Sequence, residues 1–493
     1  MSTLTELWGG RRRALDHPAL VPGLLVAYFL ATLVLFPAWT VDDAYITMRY
    51  ARNLVEHGAL TWNVADGQPV EGYTGLLWTL MAAGLLWAHL PALAVLDLVG
   101  TLSALAMLML TLCILVELKA SQPQRLLAAG LLVVGPWWAA HAGSGLETML
   151  FTALVLASVL AFMRSSPWLP VLLLLTSLTR PEGVALAALL FLLGLRQRKH
   201  DPEEGFRFFT FEIVPFCLIG LGYMQWRATY YGALLPNTFY AKRGAGVASW
   251  WHVVAFLTGA VLLPAVAWLE SKPDLSRLRP VRGLVVALGL FCVLLMGLYG
   301  SSELLMNYSH RFFVPLLPLI TIGLAATWGQ VRWRSFTLIG HVVICLMTLI
   351  GGAIWTYNYE LMERTEQAPA AAWIAAHTSP DSTLAVVVDA GLVPYQTGLR
   401  TIDVGALNDS YLARVRDPRL RLDYLFNQHP EVVMLATGDL GIVAAEATRT
   451  ALLADPRWRN GYELAATFHG PQRGDYHQQV WVRKGVASVI HPH

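Results

Sequence analysis

Long apolar runs separated by short polar connectors fill the chain as far as Tyr357, and the pattern then breaks. Runs near 20–39, 75–90, 93–117, 126–141, 146–163, 167–179, 183–196, 211–228, 250–269, 281–299, 312–328 and 335–355 approach the roughly 20 apolar residues that carry a helix across a bilayer. Helices are the predicted element, because hydrocarbon offers backbone N–H and C=O groups no partner and a helix satisfies them internally. From about Asn358 charges and turn residues become frequent. Short β-rich runs at 384–388, 401–404, 432–435 and 479–482 alternate there with helical stretches at 368–377 and 418–428, the pattern of a small α/β domain. The expected organisation is an all-α polytopic membrane domain over 1–357, with an amphipathic first external loop over 40–74, and a soluble C-terminal α/β domain over 358–493.

Composition sharpens this picture. Of 493 residues 56% are hydrophobic and 14% charged, with 18 Trp and a mean hydropathy of +0.51, which excludes an ordinary soluble globule. The net charge of +2 says little about partners, and no nucleic-acid partner is expected. Cys113, Cys217, Cys292 and Cys345 lie in apolar runs without CxxC or Cys/His spacing, so neither disulfides nor a zinc site are predicted. Basic clusters at 11–13, 196–207, 272–282 and 332–334 mark the cytoplasmic loops by the positive-inside bias. The 11–13 cluster and the apolar run behind it are read as a retained first span rather than a cleaved signal. A cytoplasmic start and an external end need an odd number of crossings, which twelve spans do not give. The surplus is expected between 75 and 117 as a re-entrant or misdivided segment, within a total of about 11–13 membrane helices.

The candidate chemistry begins at Val41-Asp42-Asp43-Ala44-Tyr45. Two adjacent carboxylates at the exit of a membrane span are costly to dehydrate and point to function. A helix over 42–57 would place Asp42, Tyr45, Arg49, Arg52 and Glu56 on one polar face and Ala44, Met48, Ala51 and Val55 on an apolar one, as in a helix lying on a membrane surface. Gly58 can end it. The plain alternative is an anchor whose aspartate only caps the helix. The other external loops bring Glu147, Arg180, Glu182, Lys242, Arg243, His310 and Arg311 to the same side. A carboxylate there can take a proton from an attacking hydroxyl while cations neutralise a leaving phosphate. Taken singly, Arg180 and Arg311 fit snorkelling or local pairing with Glu182 or Glu303 equally well.

Asp42-Asp43-Ala44-Tyr45-Ile46-x-x-Arg49-Tyr50-Ala51-x-Asn53, Trp62-Asn63 and Val70-Glu71-Gly72-Tyr73-Thr74-x-x-Leu77-Trp78 resemble the first external loop of GT-C membrane glycosyltransferases. Among these they look most like terminal, polyprenyl-phosphate-arabinose-dependent arabinofuranosyltransferases. Gly145-Leu146-Glu147-Thr148, Thr179-Arg180-Pro181-Glu182-Gly183, Pro236-Asn237-Thr238-Phe239-Tyr240-Ala241-Lys242 and Arg311-Phe312 are similar to further motifs of that group. The resemblance implies a GT-C fold in a bacterial inner membrane, with active site and C-terminal domain on the external side. It implies inverting transfer of D-arabinofuranose from a lipid-linked donor to an envelope glycan or a secreted protein such as a pilin. Asp42 and Asp43 match the catalytic position. Which is the base, and which orients substrate or, as in some relatives, a divalent metal, stays open, since adjacent helical residues point about 100° apart. Lys242, Arg180, His310 and Arg311 are the donor-phosphate candidates, and Tyr45, Arg49, Glu71, Tyr73, Glu147, Glu182, Asn237 and Tyr240 the substrate-binding candidates. No organic cofactor is implied. Asp389-Ala390-Gly391, Thr401-Ile402-Asp403-Val404 and Leu407-Asn408-Asp409 resemble the start of the family's soluble domain and read first as strand-end turns. The rival readings are a transporter or lipid flippase, which inverted repeats would favour, and a non-catalytic regulator of flagellar motor function, since similar first-loop motifs occur in proteins linked to motor control.

Overall fold

A computed structural model describes residues 20–36, 39–242, 249–304, 306–330, 335–438, 443–470 and 476–485; the basic clusters at 11–13 and 332–334 and Arg243 lie outside them. Each of the twelve apolar runs contains a helix. Ala92–Glu117, Pro202–Tyr231, Trp250–Glu270, Leu275–Gly300 and Phe336–His377 are long and apolar enough to cross a membrane, and shorter apolar helices pack among them. The chain is a membrane protein. Within Ala92–Glu117 the buried stripe Leu96, Gly100, Ala104, Met107, Thr111 and Ile114 recurs every three or four residues and faces the bundle, while Leu98, Leu102, Leu105 and Met109 stay exposed. Gly100 lets the helix approach the Ala142 carbonyl so closely that a Cβ would stand 2.2 Å from its oxygen.

Polar contacts sort the helix ends onto two sides of the bundle. On one, Arg164 pairs with Glu117 at 2.7 Å, Gln124 donates to the Trp328 carbonyl, and Ser335 and Thr337 donate to Glu270. The described basic residues of the 196–207 and 272–282 clusters belong to connections on this side. On the other, Gly145 donates to Asp97 at 2.9 Å and Tyr299 to Glu182 at 2.8 Å. The Leu76–Trp87 helix starts on this second side, with Gly75 against Thr179 and Glu147 and the Trp78 indole donating to the Gly145 carbonyl. Ala92 and Leu96, opening the next helix, pack into the same cluster as Trp78 and Ala82. At 12 residues the Leu76–Trp87 helix rises only about 18 Å, and it and the following helix both open on this second side, so among the described residues this run ends on the side where it began.

The C-terminal sheet has strands β1 (Thr383–Val387), β2 (Arg400–Asp403), β3 (Val432–Ala436), β4 (Tyr462–His469) and β5 (His477–Arg483) in the order β2-β1-β3-β5-β4. β1 lies parallel to β2 and β3, whereas β5 is antiparallel to β3 and β4. β1 reads as an unbroken apolar run because both faces are covered. Leu384 and Val386 pack with the Ala368–His377 and Leu392–Thr397 helices, and Ala385 and Val387 with the Pro418–Asn427 helix. The membrane helix Phe336–Met362 continues through a π-turn at Glu363–Gln367 into Ala368–His377, so one rod runs from bundle to sheet.

The Asp42–His57 helix forms as expected, and Gly58 ends it in the left-handed region at φ +66°. Its expected polar face, Glu56 apart, is not turned to water. Met48 and Ala51 pack on Trp78 and Ala82, while Arg49 and Asp42 are 3% and 4% exposed beneath the C-terminal domain. The reason is a second covering layer, which a reading of one helix against one membrane surface does not contain.

Candidate active site

The two adjacent acids that open this helix divide between two jobs. Asp42 is turned into the C-terminal domain, where its two carboxylate oxygens accept the N–H groups of Gly391 and Leu392, each at 2.8 Å, capping the Leu392–Thr397 helix from another part of the chain. Its own N–H donates to the Tyr359 hydroxyl at 3.0 Å. Burial, then the charges of Asp389 and Asp43, push the Asp42 carboxyl upward against these hydrogen bonds.

Most of the first-loop motif serves the same junction. Arg49 donates to the carbonyls of Trp62, Pro394 and Leu399, to Asn63 and to Thr401. The Asn63 side-chain amide bonds both the N–H and the C=O of Thr401, at 2.9 Å each, doing for edge strand β2 what a neighbouring strand would do. Tyr50 meets Asn408 at 3.2 Å, and Asn237 donates to the carbonyls of Ala406, Leu407 and Asp409. Gly72 fits because a Cβ would stand 1.9 Å from the Asn408 side-chain oxygen. Burial lifts Asp403 to about 6 while Asn408 bonds one of its oxygens.

Asp43, one residue on, faces the bundle. Its carboxylate meets Arg311 Nη1 at 3.4 Å; Arg311 Nη2 lies 3.6 Å from Glu147, and Glu147 accepts from Arg180 Nε at 2.8 Å. The Phe312 ring has Arg180 at 5.3 Å, Arg311 at 5.4 Å and Lys242 at 5.6 Å from its centroid. Burial works to raise the Glu147 carboxyl, but the Arg180 and Arg311 charges outweigh it and hold it down at about 2. Lys242 is pushed down by burial, with Arg311 and Arg180 adding to the shift and Asp43 opposing it. Arg180 Nη1 and Arg311 Nε are buried donors without a protein partner among the described residues. Three cations, two open guanidinium donors and a partly exposed Asp43 make a cluster whose chemistry suits a further anion.

The remaining candidates are distributed elsewhere. His310 packs on Phe256 at 5.9 Å, outside the cation ring, and burial followed by His252 takes it down to about 4. Glu182 accepts from Tyr299. Tyr45 donates to Glu363, Tyr73 meets the Tyr231 hydroxyl, and Tyr240 lies under the Arg414 guanidinium at 4.3 Å. Glu71 pairs with Arg227 at 2.7 Å, and burial still lifts it to about 7. Sequence reasoning named Phe312 in the Arg311-Phe312 motif and gave it no role, yet its ring stands amid the cations. Among the described residues no three His, Cys, Asp or Glu side chains converge as metal ligands would.

Residues 356–481 match a family described as a domain of unknown function, DUF8728. No curated protein matches the chain. The apo structure of ArnT from Cupriavidus metallidurans is similar over 95% of this chain and 98% of its own, with a TM-score of 0.59 and 15% identity. The chain has the GT-C fold. ArnT bound to undecaprenyl phosphate gives the same TM-score and identity over 96% and 99% of the two chains. The mycobacterial arabinofuranosyltransferase AftD aligns over 93% of this chain and 41% of its own, with a TM-score of 0.48 and 16% identity. The likeness to ArnT spans the C-terminal sheet as well as the bundle, and the acid and cation cluster lies at the bundle end beneath that sheet.

Proposed function

We propose that this chain is a membrane glycosyltransferase that moves a sugar from a polyprenyl-phosphate donor to an acceptor hydroxyl. The observation that carries the reading is the contact of Asp43 with Arg311 inside a ring of cations that includes donors without protein partners among the described residues. The ArnT structure holding undecaprenyl phosphate supports a lipid phosphate as the anion. Asp43 takes the proton from the acceptor hydroxyl as its oxygen bonds the anomeric carbon. The bond from that carbon to the phosphate oxygen breaks, configuration inverts, and the lipid phosphate leaves with its charge met by Lys242, Arg180 and Arg311.

The first-loop motif supports arabinofuranose as the sugar, and an envelope glycan or secreted protein as the acceptor. The concentration of basic residues on the opposite bundle side supports a cytoplasmic location for that side, with the site and the C-terminal domain outside the inner membrane. The test is transfer by the purified chain from synthetic polyprenyl-phosphate arabinofuranose. Arabinose transfer without a nucleotide sugar is expected; efficient use of a nucleotide sugar, or of a lipid-linked hexose only, overturns the assignment.

A further inference from the structure

A cleft of about 360 Å³ opens where three segments meet: 68–71 of the first loop, 231–237 at the end of a membrane helix, and 410–415 of the C-terminal domain. Its size is that of a ligand site, which typically spans about 300–1,000 Å³. Tyr411 is 41% exposed and stacks on Tyr424 with centroids 4.6 Å apart, which fixes one ring face and leaves the residue open to the cleft. Arg414 is fixed as well, over Tyr240 at 4.3 Å and bonded to the Ser410 carbonyl at 2.6 Å and to the Asn237 side chain at 3.4 Å. Gln68 and Ser410 add an amide and a hydroxyl to the same wall.

We infer that this cleft is a subsite for the non-reacting sugar residues of a saccharide acceptor, an inference that rests on the glycosyl-transfer reading above. A pyranose or furanose ring has an apolar C–H face and a rim of hydroxyls. A rigid tyrosine beside fixed amide, hydroxyl and guanidinium groups matches both parts, at small ordering cost. Position supports it too. Asn237 lines the cleft and opens the short Asn237–Ala241 helix, which Lys242 of the cation ring follows directly. Five residues of helix rise about 7.5 Å, so the cleft wall at Asn237 stands about that far along the helix from Lys242, on the same side of the bundle as the cation ring.

The test uses the purified full chain in lipid nanodiscs and saturation-transfer NMR with an α-linked arabinofuranosyl tetrasaccharide, mannotetraose, methyl arabinofuranoside, a glycine–serine peptide of equal mass, and undecaprenyl phosphate. One tetrasaccharide should bind at least tenfold more tightly than the monosaccharide. Tyr411→Ala and Gln68→Ala, both at exposed positions, should each weaken it at least tenfold while leaving undecaprenyl phosphate binding and thermal unfolding unchanged. Tetrasaccharide binding that neither substitution alters, binding of neither tetrasaccharide, or displacement by the peptide overturns the subsite. Weakened saccharide binding in a protein that ignores undecaprenyl phosphate supports the subsite and overturns the lipid-donor reading instead.

Discussion

Asp42 and Asp43 are adjacent on one helix and hold opposite partners: Asp42 grips the Gly391 and Leu392 amides of the C-terminal domain, and Asp43 meets Arg311 of the bundle. Their substitutions should therefore differ in kind. Asp43→Asn should lower transfer by about a hundredfold to ten-thousandfold, as loss of a general base does, with unfolding unchanged. Asp42→Asn presents an NH2 group to one of two buried amides and should cost about 1–3 kcal/mol of stability, read as faster proteolysis of the C-terminal domain. Wild-type transfer by Asp43→Asn would remove it from the chemistry.

Lys242 and Arg180 also separate. Arg180 is locked in a buried pair with Glu147, and removing one partner of such a pair costs about 3–5 kcal/mol. Lys242 forms no ion pair among the described residues, and its charge is disfavoured by burial and by Arg311 and Arg180. Lys242→Ala should leave thermal unfolding unchanged or raise its midpoint, while donor affinity falls about tenfold to a hundredfold, the worth of one charge-assisted hydrogen bond. Arg180→Ala should lower both. A destabilised Lys242→Ala protein with normal donor dependence would make this lysine a packing residue.

Glu147 gives the site an acid limit. Its carboxyl lies at about 2 against an ordinary 4.5, so the unfolded chain binds its proton first. The stabilisation is complete above 4.5 and disappears as pH falls from there towards 2. Unfolding midpoints of the wild type should drop across that window more steeply than those of Glu147→Gln, which has no carboxyl to protonate. Parallel curves for the two proteins would show that the Arg180 and Arg311 pairings contribute nothing to acid stability.

The bundle was legible because each element carries its own signal: an apolar run of membrane length must be a helix, and basic connectors mark one side. β1, β2, β3 and β5 were legible for a similar reason, as apolar runs between turns. β4 was not, since Tyr462–His469 pairs only with β5 and is largely exposed, leaving no alternation to read. The cations around Phe312 were foreseen by residue type and by their common side of the bundle, yet Arg49, Asn63 and Asn237 were read as substrate or motif residues while their partners are backbone groups of the C-terminal domain. Those partners lie more than 160 residues away in sequence. Helical periodicity reports that one face is buried, and it carries no information on a second domain that covers the other.

Gly391 offers the cleanest way to separate that junction from the chemistry. A Cβ on it would stand 1.8 Å from the Asp42 carbonyl oxygen and 2.6 Å from its carbonyl carbon, both backbone atoms of a helix packed on its far side by Trp78 and Ala82. Neither can shift without moving the Asp42–His57 helix, and Asp43 with it. Gly391→Ala should therefore undock the Leu392–Thr397 helix and reduce transfer severely, although residue 391 touches none of the cations. Gly461→Ala, where a Cβ meets nothing within 4 Å, is the matched control and should transfer as the wild type does. Cysteines at positions 45 and 395, whose native tyrosine rings lie 5.7 Å apart, joined by a short bis-maleimide report docking directly: the link should form in the control and fail in Gly391→Ala. Full activity with intact crosslinking in Gly391→Ala would show that the junction tolerates the methyl group and that Asp42 does not depend on this close approach.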